Sequence, residues 1–178
     1  MVTDKIYLVG FMASGKSTVA RQIAHRLHWR AEDIDDLIEA RERQTISQIF
    51  ARHGELYFRQ VEREILKLLM PIRHVVVATG GGTFVDPENR AAINQDGISV
   101  WIDLPLTEIA TRIPLDGRRP LAADRVQLER LYVARVEGYR MAHLRVNASH
   151  VSSAAVADRV IEAVNQVPPV FERSAHDG

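Results

Sequence analysis

Residues 10–17 read Gly-Phe-Met-Ala-Ser-Gly-Lys-Ser: a glycine, four intervening residues, then Gly-Lys-Ser. What flanks this stretch makes it constraining. Ile6-Tyr7-Leu8-Val9 before it is a continuous apolar run, the pattern of a strand buried on both faces. After it, Val19, Ala20, Ile23, Ala24 and Leu27 recur at helical spacing. A strand that passes through a glycine loop into a helix aims backbone N–H groups and the positive end of the helix dipole at one concavity. Such a concavity takes phosphate. Lys16 then has the position to reach the β- and γ-phosphates of a nucleotide, and the Ser17 hydroxyl to ligate Mg²⁺. Ala13, Ser14, Gly15 and Thr18 complete the predicted nucleotide-binding set.

The rest of the chain repeats the strand–helix alternation. Val75-Val76-Val77-Ala78-Thr79 and Ile98-Ser99-Val100-Trp101-Ile102 are further apolar, β-rich runs, and shorter strands are expected near residues 30–34 and 144–146. The pattern predicts a helix over about residues 36–43. It predicts another starting at Thr45 and broken by Gly54, then a longer one over about 55–69 with Leu56, Phe58, Val61, Ile65 and Leu68 on its inner face. Thr107 is the expected cap of a helix ending near Arg112. Alternation of this kind implies an α/β fold, three layers deep, with a parallel sheet between helices. Ligands of such sheets sit beyond the carboxyl ends of the strands. The expected organisation is one domain over residues 1–166 and a flexible C-terminal tail over 167–178. The Pro- and charge-rich stretch 113–124 reads as a mobile loop. Basic and acidic residues balance at 23 each, so a general nucleic-acid coat is not suggested. The absence of cysteine excludes disulfides and thiolate chemistry and fits a cytoplasmic protein. The first strand begins at once, so no signal peptide is expected, and no apolar run has the length of a membrane span.

Several residues near the predicted strand ends carry chemistry. Asp33 and Asp35 are two apart, so in an extended segment they point the same way. One suits Mg²⁺ through its water shell and the other a substrate hydroxyl. The plainer alternative is acidic residues favouring a helix dipole, which Asp36 fits. Arg59 is either a solvated arginine or a ligand for an anion, with Glu62 one turn on as a partner to fix it. Gly80-Gly81-Gly82 after a buried strand has a high entropic cost and suggests close approach of backbone to a ligand. Arg112, Arg118, Arg119 and Arg135 form the basic set of the second half. A loop arginine such as Arg119 can neutralise charge on a transferring phosphoryl group. The seven histidines share no metal spacing, and Trp29 and Trp101 read as core.

The order and spacing of these motifs resemble those of shikimate kinases: Gly10–Ser17, Asp33-Ile34-Asp35, Gly54-Glu55 with Phe58-Arg59 and Glu62, Thr79–Gly82, Arg119-Pro120-Leu121, and Arg135 with Tyr139. The resemblance implies a nucleoside-monophosphate-kinase-like P-loop fold with a five-stranded parallel sheet. It also implies substrate-binding helices over about 34–62 and a lid over about 113–124. The implied reaction is transfer of the γ-phosphate of ATP to the 3-hydroxyl of shikimate. Position by position, Lys16, Asp35 and Arg119 are implied as catalytic, and Asp35, Arg59, Gly80, Gly81, Gly82 and Arg135 as shikimate-binding. Arg112 falls near the adenine, Arg119 is the lid arginine, and Ser17 with Asp33 (through water) serves Mg²⁺. The expected partners are ATP and shikimate alone, with neither nucleic acid nor membrane, in a monomer. Three departures stand out. Ala13 replaces a third glycine, tolerable if its φ is negative. The lid is short. Glu137 replaces a proline close to Arg135, where its charge would weaken that arginine's hold on an anion. The other readings are a gluconate-type kinase of the same fold and a non-catalytic ATP- or shikimate-binding module.

Overall fold

The structure, a computed structural model, describes residues 3–113 and 125–168. Five strands form one sheet in the order β2-β3-β1-β4-β5: β1 (Lys5–Val9), β2 (Arg30–Asp33), β3 (Val75–Ala78), β4 (Ile98–Asp103) and β5 (Leu144–Asn147). Every pairing is parallel, with Ile6 opposite Val76 on one side and Ile98 on the other. The two central strands, β1 and β3, are buried along their whole length, which is why they read as unbroken apolar runs. Connections are helical: α1 (Lys16–Leu27), α2 (Ile34–Glu42), α3 (Ile46–Leu69), α4 (Pro87–Asp96), α5 (Leu106–Arg112), α6 (Arg125–Tyr139) and α7 (Ser153–Asn165). Among the described residues no helix is long and apolar enough to cross a membrane. The expected five-stranded parallel sheet between helices is therefore what the chain forms. The segment 114–124, which includes Arg118 and Arg119, and the segment 169–178 lie outside the described residues, so most of the expected lid and tail do too.

Local chemistry sets the helix ends. Asp33 caps α2, accepting from the backbone N–H of Asp35 (2.9 Å) and Asp36 (3.4 Å). Thr45 and Gln48 form a reciprocal capping box at the start of α3, with bonds of 3.3 and 2.9 Å. Gly54, at φ 80° and ψ 177°, breaks the helical path within α3, so the expected break is a kink between two helical segments. The Thr107 cap is not formed. Pro105 occupies the N-cap position of α5, and no side chain caps it.

The inner face of α3 also differs from expectation. Phe58, Val61, Glu62, Ile65, Leu66 and Leu69 are buried, whereas Leu56 is 89% and Leu68 64% exposed. Leu56 lies on the far side of the helix from Phe58 at about 100° per residue. The carboxylate of Glu62 takes a place on the buried face that apolar patterning gave to leucines.

At the amino end of the sheet, Lys5 is fully buried and pairs with Asp96 at 2.6 Å. Its ammonium also donates to the carbonyls of Leu69 (2.9 Å) and Met70 (2.7 Å), and Tyr7 donates to the same carboxylate oxygen of Asp96. This network ties β1 to α3 and α4 far from the carboxyl ends of the strands, where the loops after β1, β2 and β3 converge.

Candidate active site

The loop between β1 and α1 supplies the first wall. Gly15 caps α1 in a left-handed conformation (φ 92°, ψ 11°), which glycine adopts without steric cost. Ala13 is also left-handed, at φ 58°, which corrects the expectation of a negative φ. An alanine there carries a Cβ–carbonyl crowding cost of about 1–2 kcal/mol. The Lys16 ammonium folds back over the loop, donating to the carbonyls of Gly10 (2.9 Å) and Phe11 (2.7 Å). The Ser17 hydroxyl donates to Asp33 Oδ2 in a short contact.

Asp33 and Asp35 do not share an extended face. Asp33 ends β2 and caps α2, while Asp35 lies in the first turn of that helix and lines the cavity. The chain turns from strand to helix between them, so their side chains separate. Asp33 faces the phosphate loop and Asp35 faces Gly80.

The three glycines explain how the remaining groups fit. A methyl group built on Gly80 would lie 2.9 Å from Asp35 Oδ1, 2.9 Å from Glu62 Oε1 and 3.0 Å from Thr83 Oγ1. One on Gly81 would lie 3.0 Å from an Arg135 guanidinium nitrogen, and one on Gly82 2.6 Å from two of Arg59. Each glycine leaves room for a polar side chain, so the close approach expected of a ligand is first made by the protein itself.

Arg59 is a cavity wall, not a solvated arginine. It donates to Glu62 Oε2 at 2.9 Å and pairs with Glu55 at 3.2 Å. Burial works against its charge, but the two carboxylates more than reverse this and raise its pKa. Arg135 is 6% exposed, with its guanidinium 5.7 Å from the centre of the Phe11 ring. Burial, with the charge of Arg59 adding to it, lowers its pKa. Tyr139, a turn further along α6, donates its hydroxyl to the Gly81 carbonyl and so fixes α6 against the glycine turn. Glu137 does not face Arg135. It is exposed and pairs with Arg140 at 2.5 Å, which removes the expected charge conflict.

These groups surround a cavity of about 540 Å³. Asp35, Arg59, Gly80, Gly81, Gly82, Arg112, Arg135 and Ala13 all line it. Arg112 also lies 3.8 Å from Glu108 on α5. Sequence reasoning missed the apolar part of the wall, Met12, Ile46, Phe50 and Phe58. The Phe50 and Phe58 rings meet at 4.9 Å across the Gly54 kink. The kink was visible in the sequence, but the folding of one ring onto the other was not. Asp36 and Glu39 line the cavity as well, so Asp36 does more than complement a helix dipole. The arrangement offers two cations for an anionic group, a carboxylate for a hydroxyl, and a phosphate loop beside both.

Comparison with known proteins agrees with this geometry. The family model for shikimate kinase matches residues 12–165. A shikimate kinase from Sulfurihydrogenibium sp. is 35% identical over 162 residues, 90% of this chain and 98% of that protein. One from Synechococcus elongatus is 36% identical over 174 residues, 96% of this chain and 90% of that one. Among solved structures, the shikimate kinase from Acinetobacter baumannii in complex with shikimate superposes with a TM-score of 0.88 at 32% identity. That match covers 93% of this chain and 96% of that one. A likeness that covers nearly the whole length of the chain, in sequence and in fold, is one of descent, and the chain belongs to the shikimate kinase family.

Proposed function

We propose that this chain is an ATP-dependent shikimate kinase that phosphorylates the 3-hydroxyl of shikimate, a step of chorismate and aromatic amino-acid biosynthesis. One observation carries the reading. Arg59, Arg135 and Asp35 converge on Gly80–Gly82 beside the loop that holds Lys16 and Ser17. A small carboxylic acid with several hydroxyls needs that set of partners. The two guanidinium groups take its carboxylate, which relieves the mutual repulsion of two partly buried cations. Asp35 accepts the proton of the 3-hydroxyl as its oxygen bonds to the γ-phosphorus and the bond to the ADP oxygen breaks. The Lys16 ammonium exchanges loop carbonyls for phosphate oxygens. Arg112 is assigned to the adenine side, and Arg119, outside the described residues, to the closing lid. The same reading takes residues 1–166 as one kinase unit, with 34–62 as its substrate-binding region, 113–124 as its lid and 167–178 as a tail. It takes the enzyme to be a cytoplasmic monomer.

Mg²⁺ fits the donors present. Ser17 and Asp33 bring a hydroxyl and a carboxylate together at the phosphate loop. Among the described residues no cluster of three or more acidic or histidine groups is assembled. Magnesium suits such a sparse set, because it keeps several waters and binds through one or two protein oxygens plus substrate phosphates. When bound it neutralises charge developing on the β- and γ-phosphates.

The test is coupled ADP release with ATP and Mg²⁺, offering shikimate, gluconate or a nucleoside monophosphate in turn. Turnover with shikimate alone is expected. Turnover with gluconate in its place would move the assignment to a sugar-acid kinase, and shikimate binding without turnover would make the chain a regulatory module.

A further inference from the structure

We propose that Thr83 is a positioning residue for the shikimate carboxylate, acting through Glu62 on Arg59; this rests on the reading of Arg59 as a carboxylate ligand. Glu62 and Thr83 are both fully buried. The two oxygens of the Glu62 carboxylate are divided between two donors. Oε2 accepts from Arg59 at 2.9 Å, and Oε1 accepts from the Thr83 hydroxyl at 2.6 Å. A carboxylate shielded this completely from bulk solvent has its orientation fixed by such bonds. The backbone N–H of Thr83 in turn donates to the Gly80 carbonyl at 3.2 Å, so its hydroxyl is carried by the same turn that forms the glycine wall.

The neighbourhood gives the hydroxyl a second effect. Glu62 Oε1 and Asp35 Oδ1 both lie 2.9 Å from the position a methyl on Gly80 would occupy, and Thr83 Oγ1 lies 3.0 Å from it. Two carboxylates thus approach one small volume, and the threonine proton is directed to Glu62. The donation holds Glu62 turned with its other oxygen toward Arg59. Without it, Glu62 is free to rotate about its last torsion, and Arg59 loses the partner that aims its guanidinium past Gly82 into the cavity. Thr83 itself does not line the cavity, so its effect on substrate is indirect.

The experiment compares Thr83→Val, which keeps the shape and removes the hydroxyl, with Thr83→Ser, which restores it. Arg59→Ala serves as a control for the underlying reading. Loss of a hydrogen bond to a charged group predicts a rise of about tenfold in the KM for shikimate in Thr83→Val. The KM for ATP should move less than about twofold, and Thr83→Ser should recover most of the loss. In a Glu62→Gln background the Thr83→Val change should add little, because both act on Arg59. If Arg59→Ala raises the shikimate KM but Thr83→Val leaves it unchanged, or raises both KM values equally, Thr83 is merely part of the core. If Arg59→Ala itself leaves the shikimate KM unchanged, the carboxylate reading of Arg59 fails and the proposal fails with it.

Discussion

Gly82→Ala separates space made for a ligand from space made for a side chain. The added methyl would stand 2.6 Å from both terminal nitrogens of Arg59 and 2.8 Å from its guanidinium carbon. Carbon atoms do not approach that closely, so something moves. What moves is the end of a long side chain and not backbone, so the fold accommodates the change. The φ of Gly82 is outside the left-handed region, and an alanine restricts the unfolded chain, which by itself stabilises by about 0.4–1 kcal/mol. The guanidinium leaves its bond to Glu62 and its aim at the cavity. A hydrogen bond involving a charged partner contributes about 1.5–3 kcal/mol, which converts to a rise of roughly 10- to 140-fold in the KM for shikimate. Thermal stability should fall, because loss of the Arg59 bond to the buried Glu62 carboxylate is only partly offset by the gain from the alanine.

Steady-state kinetics with each substrate varied in turn, beside thermal unfolding, reads both quantities. Gly97→Ala is the contrasting variant. There the methyl would meet the Lys5 carbonyl at 2.8 Å, a backbone atom at the start of the central strand. That variant should lose stability and keep its shikimate KM. A Gly82→Ala enzyme with a normal shikimate KM would refute the argument that Gly82 exists to seat Arg59. So would one whose KM values for ATP and shikimate rise equally.

Two further outcomes follow from strain and from charge. Ala13→Gly removes a left-handed alanine and should stabilise by about 0.5–1 kcal/mol after the added chain entropy of glycine is subtracted, a rise of about 2 °C in Tm; an unchanged or lower Tm would mean the loop bears no strain there. For Asp96, burial pushes the carboxyl pKa up, but donation from Lys5 and Tyr7, the charge of Lys5 and donation from Arg73 outweigh it and hold the pKa below the ordinary range. A depressed folded-state pKa stabilises above the unfolded value of about 3.9, and that contribution is lost as pH falls through the folded value. Urea unfolding between pH 6 and pH 3 should therefore show the parent losing stability at the acid end. Asp96→Asn should be about 3 kcal/mol weaker at pH 6, for a broken buried pair, and lose less on acidification. Parallel curves would exclude Asp96 as a source of the acid sensitivity.

Features fixed by neighbours in the chain were legible before the structure. The phosphate loop, the buried runs of β1 and β3, the helix start at Thr45 and the Gly54 break each depend on a few adjacent residues, and each forms. The candidate residues were legible as types and spacings, the strand ends as their common cleft, and Arg59 with Arg135 as a pair through the resemblance; the contacts that seat them were not. Arg59 and Arg135 meet only because β3 lies between β2 and β1, which brings the glycine turn under α3 and α6. Errors arose where tertiary contacts override local pattern. Apolarity put Leu56 and Leu68 on the inner face of α3, whereas the hydrogen bonds of Glu62 let a carboxylate occupy it. Proximity in sequence suggested that Glu137 opposes Arg135, yet Glu137 points into solvent and Arg135 points inward. Asp33 and Asp35 were read as one extended pair because the strand was extrapolated through them. The Asp33 side chain ends that strand by capping the helix that contains Asp35.

The two cavity arginines are held in different ways, and the difference has a consequence for binding. Arg59 carries its own counter-charges in Glu62 and Glu55, which raise its pKa despite burial. The charge of Arg135 is disfavoured by burial, favoured by Tyr139, disfavoured again by Arg59 and favoured by Glu62, with burial prevailing, and a phenylalanine ring and the glycine turn complete its surroundings. A carboxylate entering between them is worth less to Arg59, which must share an already neutralised charge, than to Arg135, whose charge the fold leaves poorly compensated. Arg59 is therefore suited to fixing orientation, through a guanidinium clamped by two carboxylates. On the proposed reading Arg135 is suited to supplying affinity, because a bound carboxylate would offset the electrostatic penalty of its burial. Glu137, turned outward onto Arg140, adds no negative charge beside Arg135 and leaves that penalty in place.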